Sequence, residues 1–168
     1  MSASSELLVK GWRVFAHPLF LDQVESLVSK VEELRLKHPD SYRNKNATKR
    51  LAAISDLVWS FIPEDPTHAK YRQGGTLGKE HTHWYRAKFF QQYRLFFRYH
   101  SDSKIIIYGW VNDNKTKRAY GSKNDAYLVF EKMLDNGNPP TSWDELLGEC
   151  RSQGDRLNEL RPNNILTD

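Results

Sequence analysis

Residues 93–99 read YRLFFRY, and the fold turns on how that stretch is read. A β-strand points successive side chains to opposite faces. On that alternation Tyr93, Leu95, Phe97 and Tyr99 form one row. Arg94, Phe96 and Arg98 form the other, with His100 next in line. The first row is a core face. The second reads as a surface, because a buried arginine is costly unless it is paired. A strand of this kind belongs to a sheet covered by helices on one side only.

The flanking segments repeat the pattern. Residues 83–90 form a strand in which Tyr85, Ala87 and Phe89 share one face and Trp84, Arg86 and Lys88 the other. Residues 101–103, SDS, make a hairpin turn into a third strand, KIIIYGWV at 104–111. That strand is apolar on both faces, which suits a central position. GWRVFA at 11–16 is a short N-terminal strand, stopped by His17-Pro18.

Between these strands the period changes. Phe20, Val24, Leu27, Val28, Val31 and Leu34 recur at helical spacing. KHPDSY at 37–42 marks a turn. A second helix begins between Pro39 and Ala47, with the stripe Leu51, Ile54, Leu57, Val58, Phe61 and Ile62, and PEDP at 63–66 ends it. Residues 67–82, with QGGTLG, read as a loop. The polar loop NDNKTKRAYG runs from 112 to 121. Ser122 is the expected N-cap of the helix KNDAYLVFEKML, which Gly137 and Pro139-Pro140 terminate. TSWDELL at 141–147 is a short capped helix. Residues 150–168 are polar and weakly periodic, a tail that is mobile or ordered by a partner.

The expected fold is therefore α+β. It has a small, mainly antiparallel sheet, with an N-terminal helical hairpin and a C-terminal helix packed on one face. One domain spans residues 1–149. At 168 residues, 39% hydrophobic and 27% charged, the chain has the make-up of a soluble globular domain. No apolar stretch reaches membrane-spanning length, and the N-terminus lacks a signal-peptide core. Cys150 is the single cysteine, which excludes an internal disulfide and a thiolate metal cluster and fits a reducing cytoplasm.

Charge gives the functional lead. Residues 70–123 hold 12 lysines and arginines against 3 acidic residues, whereas the rest of the chain is net negative. A basic block laced with aromatics is the footprint of a polyanion binder. On an uncovered sheet face, Trp84 and Phe96 would stack bases while Arg86, Lys88, Arg94 and Arg98 neutralise phosphate. The 112–121 loop would add Lys115, Lys117, Arg118 and Tyr120, with Lys123 beyond it. A plain solvated sheet face accounts for the same pattern.

His81 and His83, in the sequence HTH, would share a strand face. They are candidates for acid–base work in RNA cleavage, or for two metal ligands without a visible third. No phosphate-binding loop or dinucleotide fingerprint is present, and no carboxylate cluster for divalent metals lies in the basic half. No metal or other cofactor is expected.

WYRAKFFQQYRLFFRY and IIIYGWVNDNKTKRAYGSKNDAYLVFEKML resemble the YhaV-type toxins, of the RelE-like superfamily of toxin–antitoxin ribonucleases. The likeness extends from GWRVFAHPLF to NPPTSWDEL. It implies an mRNA interferase that cuts on the ribosome. It also implies neutralisation by a PrlF-like, AbrB-type antitoxin encoded alongside. DNA would be bound only through the toxin–antitoxin complex, which represses its own promoter.

Carried over by position, the resemblance points to Arg86, Lys88 and Arg94 as catalytic, with Arg118 and Tyr120 as the basic residue and tyrosine near the end of the sheet. Tyr127 is a weaker alternative to Tyr120, because it lies within a helix pattern and reads as core. Trp84, Phe96, Arg98, Lys115, Lys117, Lys123 and His83 are left as RNA contacts. The chemistry would be metal-independent, with the RNA's own 2′-hydroxyl attacking the adjacent phosphorus. The alternative is a non-catalytic RNA- or ribosome-binding module that blocks translation. A DNA-binding regulator fits less well, since no basic recognition helix is visible.

Overall fold

The computed structural model describes residues 6–166. Five strands form one sheet: β1 (Leu7–Val9), β2 (Trp12–Ala16), β3 (Tyr85–Phe89), β4 (Tyr93–His100) and β5 (Ile105–Val111). Their order is β1-β2-β5-β4-β3. Only the β2–β5 pairing is parallel; the other neighbours run antiparallel. β1 extends the sheet beyond the expected strands, joined to β2 by a tight turn in which Lys10 and Gly11 both have positive φ.

YRLFFRY is a strand as read, continuing through His100. Its pairing with β5 carries a bulge. Phe96 faces Trp110 and Phe97 faces Tyr108, so Gly109 is the extra residue. The β3–β4 turn is strained, with Phe90 and Gln91 both in the left-handed region. Its Gln91 carbonyl accepts from Arg94 Nη1 at 2.7 Å.

The helices are α1 (Pro18–Lys37), α2 (Asn46–Asp56), α3 (Ile62–Glu64), α4 (Ala126–Asp135), α5 (Trp143–Cys150), α6 (Gly154–Glu159) and α7 (Pro162–Ile165). A π-helical turn, Leu57–Phe61, joins α2 to α3. α1 starts with Pro18 in its first turn, and the His17 imidazole accepts from the Leu19 amide at 3.1 Å. α4 is capped by Asp125 rather than by Ser122; the Asp125 carboxylate takes the Tyr127 amide. α5 is capped by Ser142.

The helices do not share one face of the sheet, which corrects the expected packing. Phe20, Leu21 and Val24 of α1 and Leu51 and Ile54 of α2 meet Val14, Leu95, Phe97, Ile106 and Tyr108 on one side. Tyr127, Phe130 and Leu134 of α4 and Leu146 and Leu147 of α5 meet Trp84, Phe96, Ile105, Ile107 and Trp110 on the other. The physical reason lies in β5. A strand apolar on both faces exposes Ile105, Ile107 and Trp110 unless a second layer covers them. α4 does so through an aromatic stack, with Phe130 and Phe96 centroids 4.4 Å apart and Phe130 and Trp110 5.7 Å apart.

Residues 151–166 continue as short helical turns. Leu157 and Leu160 are buried with α1 and α2, and Arg156 pairs with Asp22 and Glu25.

Candidate active site

β4 brings Arg94 to the edge of the α4-covered face, and β3 brings Arg86 beside it. The register sets Lys88 directly opposite Arg94 and Arg86 opposite Phe96. The start of α4 brings Tyr127 against both arginines. The Tyr127 hydroxyl accepts from Arg86 Nε at 3.0 Å and from Arg94 Nε at 3.0 Å. Arg94 is buried, and Nη1 also donates to the carbonyls of Gln91 and Tyr93. Arg86 is tied by Nη1 to the Lys70 carbonyl at 2.7 Å. Both guanidiniums, Arg94 buried and Arg86 half-buried, are thus aimed by protein acceptors.

A third arginine arrives from the loop after β5. Asn112, itself buried, anchors that loop to β4: its Oδ1 accepts from the Arg94 amide at 2.7 Å, and its amide nitrogen donates to the carbonyls of Gln92 and Thr116. Further along, the Arg118 amide donates to Gln92. The Arg118 guanidinium lies over the Tyr127 ring at 4.8 Å and over the Tyr120 ring at 5.6 Å. It pairs with the buried Asp125 at 2.6 Å, while the same carboxylate takes the amides of Ala119 and Tyr127. One carboxylate therefore caps α4 and holds both the loop and Arg118.

Three guanidiniums against one committed carboxylate make a strongly electropositive cluster. Arg118 and Tyr127 border an open pocket of about 430 Å³, whose lining also includes Tyr120, Lys123, Asp125 and a second carboxylate, Glu131. Tyr120 is 94% exposed there. Converging guanidiniums of this kind suit a phosphate and the extra charge it gains in a displacement.

The remaining candidates fall in different places. Lys88 is exposed on the edge strand, facing Arg94. Lys115 and Lys117 are exposed on the loop, but Lys115 borders a separate groove with Gln23, Lys30 and Arg50. Trp84 and Phe96 are fully buried beneath α4, so they offer no stacking face to a base. They are aromatic because they fill the second core. Arg98 also lies inward. Its Nη1 donates to the Thr141 carbonyl at 2.6 Å, and its guanidinium sits against the Trp84 and Trp143 rings. Burial lowers its pKa to about 10.

His81 and His83 do not share a strand face, since His81 ends a 3-10 turn, Lys79–His81, ahead of β3. His81 Nε2 lies 3.0 Å from Asp135, and Glu80 completes a group whose ligand atoms are within 4.8 Å of one another. That group leaves out His83, so it does not complete the expected histidine pair, and Glu80 and Asp135 are exposed surface carboxylates. The His83 pKa is pushed down to about 4, chiefly by burial and then by the Arg98 and His81 charges.

Sequence reasoning ranked Tyr127 below Tyr120, took Asp125 only as the acidic residue three beyond a Ser122 cap, and gave no role to Asn112. The available signal was D-x-Y at the helix start. A cap and the residue two beyond it sit at the helix mouth, where a long side chain reaches the sheet edge.

A family model described as a toxin with endonuclease activity, of a toxin–antitoxin system, matches residues 14–151. Toxin YhaV of Escherichia coli O6:H1 is 45% identical over 143 residues, covering 84% of this chain and 93% of the relative. The ribonuclease toxin YhaV of Escherichia coli K12 matches with the same identity and coverage. No solved structure matches the chain.

Proposed function

The chain belongs to the YhaV toxin family, ribonuclease toxins of toxin–antitoxin systems, and on that premise we propose that it cuts mRNA without a metal ion through the arginine cluster around Tyr127. The observation that carries the reading is the convergence of Arg86 and Arg94 on one phenol oxygen, with Arg118 against the same ring. The carboxylate paired with Arg118, Asp125, is also taken up by two backbone amides, an arrangement unlike that of a divalent-metal ligand. The family match over residues 14–151 supports one toxin domain over 1–149, with 150–168 appended. α1 and α2 are read as the helical hairpin of a RelE-like fold.

In the proposed reaction the 2′-hydroxyl of the RNA attacks the adjacent phosphorus in line, and the bond to the 5′-oxygen breaks. The products are a 2′,3′-cyclic phosphate and a 5′-hydroxyl. Arg94 and Arg86 take the non-bridging oxygens as charge builds on them, and Arg118 closes the third side. Tyr127 accepts from both arginines, so its own proton is left to donate to a phosphate oxygen. Lys88, opposite Arg94 and exposed, would act on the 2′-hydroxyl as the general base. Tyr120 is placed to stack on a base or to protonate the leaving oxygen. Lys117 and Lys123 would track the backbone on either side.

The substrate is mRNA, engaged at the ribosome in the cytoplasm, and the neutralising partner is an AbrB-type antitoxin. Among the described residues no helix is long and apolar enough to cross a membrane. The test is to incubate the protein with translating ribosomes, and separately with free mRNA, and map the new ends with and without EDTA. Discrete 5′-hydroxyl ends that persist in EDTA and vanish with Arg94→Ala are expected. New ends carrying 5′-phosphate, or cleavage abolished by EDTA, overturn the mechanism. Equal cleavage of free mRNA overturns the ribosome assignment.

A further inference from the structure

β3 is an edge strand. Arg72 bridges to Tyr85 at its start, and beyond that point no strand pairs with its outer side among the described residues. An unpaired edge is a template for another chain. Beside it runs a groove of about 400 Å³ between the strand and the π-helical turn Leu57–Phe61. Leu57, Phe61, Tyr71 and Phe89 give it apolar walls, while Lys70 and Lys88 are its cations. Phe61 is 52% exposed, an aromatic ring that the isolated chain leaves in water. Phe90, at the end of the same strand, is 48% exposed and held at positive φ. Natural sheets protect such edges, and an open apolar edge with a groove marks an interaction surface.

Resting on the reading of the chain as an antitoxin-controlled ribonuclease, we infer that this groove seats a segment of the antitoxin bearing apolar and acidic side chains. Charge complementarity selects that occupant. The groove presents two lysines, both from the basic 70–123 stretch, against one carboxylate, Asp56. RNA would find too little charge and too much apolar wall there. A second copy of this chain would bring the same lysines to the same groove.

The position also supplies a means of inhibition. Lys88 borders the groove, yet its side chain lies on the strand face that carries Arg94. A partner carboxylate drawn to Lys88 cancels one cation of the reaction site without entering the arginine cluster.

The experiment measures the affinity of the purified toxin for its cognate antitoxin. Phe61→Glu removes an apolar contact and repels an acidic segment, so Kd is expected to rise at least about tenfold. Asp56→Lys is expected to lower it. RNA cleavage in the absence of antitoxin should match the unmodified toxin in both variants. Amide exchange of the unmodified complex is an independent readout that needs no variant, and residues 87–90 should become protected. Kd unchanged in Phe61→Glu overturns the inference, as does absence of protection at 87–90. So does loss of RNA affinity or of toxin self-association in Phe61→Glu with antitoxin binding intact. If the unmodified toxin cleaves no RNA, the functional reading fails instead, and the antitoxin comparison still decides this one.

Discussion

Arg94 Nε donates to the Tyr127 hydroxyl at 3.0 Å, joining a buried strand arginine to the first turn of the helix that covers it. The same oxygen takes Arg86 Nε. One phenol oxygen thus fixes the direction of two guanidiniums contributed by two strands.

Tyr127→Phe keeps the ring and its contacts with Phe96 and Arg118 but deletes that acceptor. Two donors, one on a buried side chain, lose a partner. The expected cost in stability is about 1–3 kcal/mol. Cleavage should fall more steeply, by about 10²-fold, because arginines displaced by a fraction of an ångström no longer match the phosphate. Denaturant unfolding and single-turnover cleavage of the same preparation separate the two effects. A variant as active as the parent would remove Tyr127 from the site.

Arg94→Ala should lower the cleavage rate by about 10²–10³-fold if the guanidinium contacts the developing charge. Arg94→Lys tests geometry rather than charge. A single ammonium cannot reach Tyr127, Gln91 and Tyr93 in the way that Nε and Nη1 do. It should recover little of the loss. Rates near the parent's for the lysine variant would show that charge alone suffices.

Asp125 carries a cap, a loop anchor and an ion pair on one buried carboxylate. Asp125→Ala should cost about 2–4 kcal/mol, the sum of a lost helix cap and a lost charged hydrogen bond. Asp125→Asn keeps an oxygen for the amides and should cost less, while still releasing Arg118. Thermal unfolding of both variants gives the order, and equal melting temperatures would contradict the shared role.

Gly109 sits where the β4–β5 bulge lets Trp84 lie close to the backbone. A Cβ added there would be 2.5 Å from Cζ3 of the indole. Neither partner has room to give, since Trp84 is fully buried and packs edge-on against Phe130. Gly109→Ala should destabilise by about 1–3 kcal/mol or more. A second variant, Gly109→Ala with Trp84→Leu, should recover part of the loss, and chemical denaturation of both measures it.

How much of this was legible follows from what alternation can and cannot specify. The two rows of β4 and its start at Tyr93 were readable, because period-two patterning fixes which residues share a face. What covers a face is not encoded in that strand. Phe96 between two arginines looks like a surface aromatic until α4 is laid over it. The arginines that remain then divide by location. Arg94 is aimed at the Tyr127 hydroxyl, whereas Arg98 is held against Thr141 and Trp143. β5, apolar on both faces, held the clue to a second layer. Tyr127 was hard to place because a helix pattern marks it as core. Its ring is core, while its hydroxyl takes the two arginines.

His83 gives a prediction whose sign is fixed by its environment. Its folded pKa is about 4, below the ordinary 6.5, because burial and then the Arg98 charge disfavour the imidazolium. Between those values the unfolded chain binds a proton that the folded chain does not. Stability contributed by this residue is therefore full above about pH 6.5 and declines as pH falls toward 4, the window set by the two pKa values. His83→Gln should flatten that part of the curve, and urea midpoints at several pH values would show it. The same shift bears on mechanism. At neutral pH the ring is uncharged, so it is no general acid, and a pKa near 4 makes it a weak base, so the cleavage rate of His83→Gln should follow the parent's pH profile. A profile that loses an inflection in the variant would restore histidine to the chemistry.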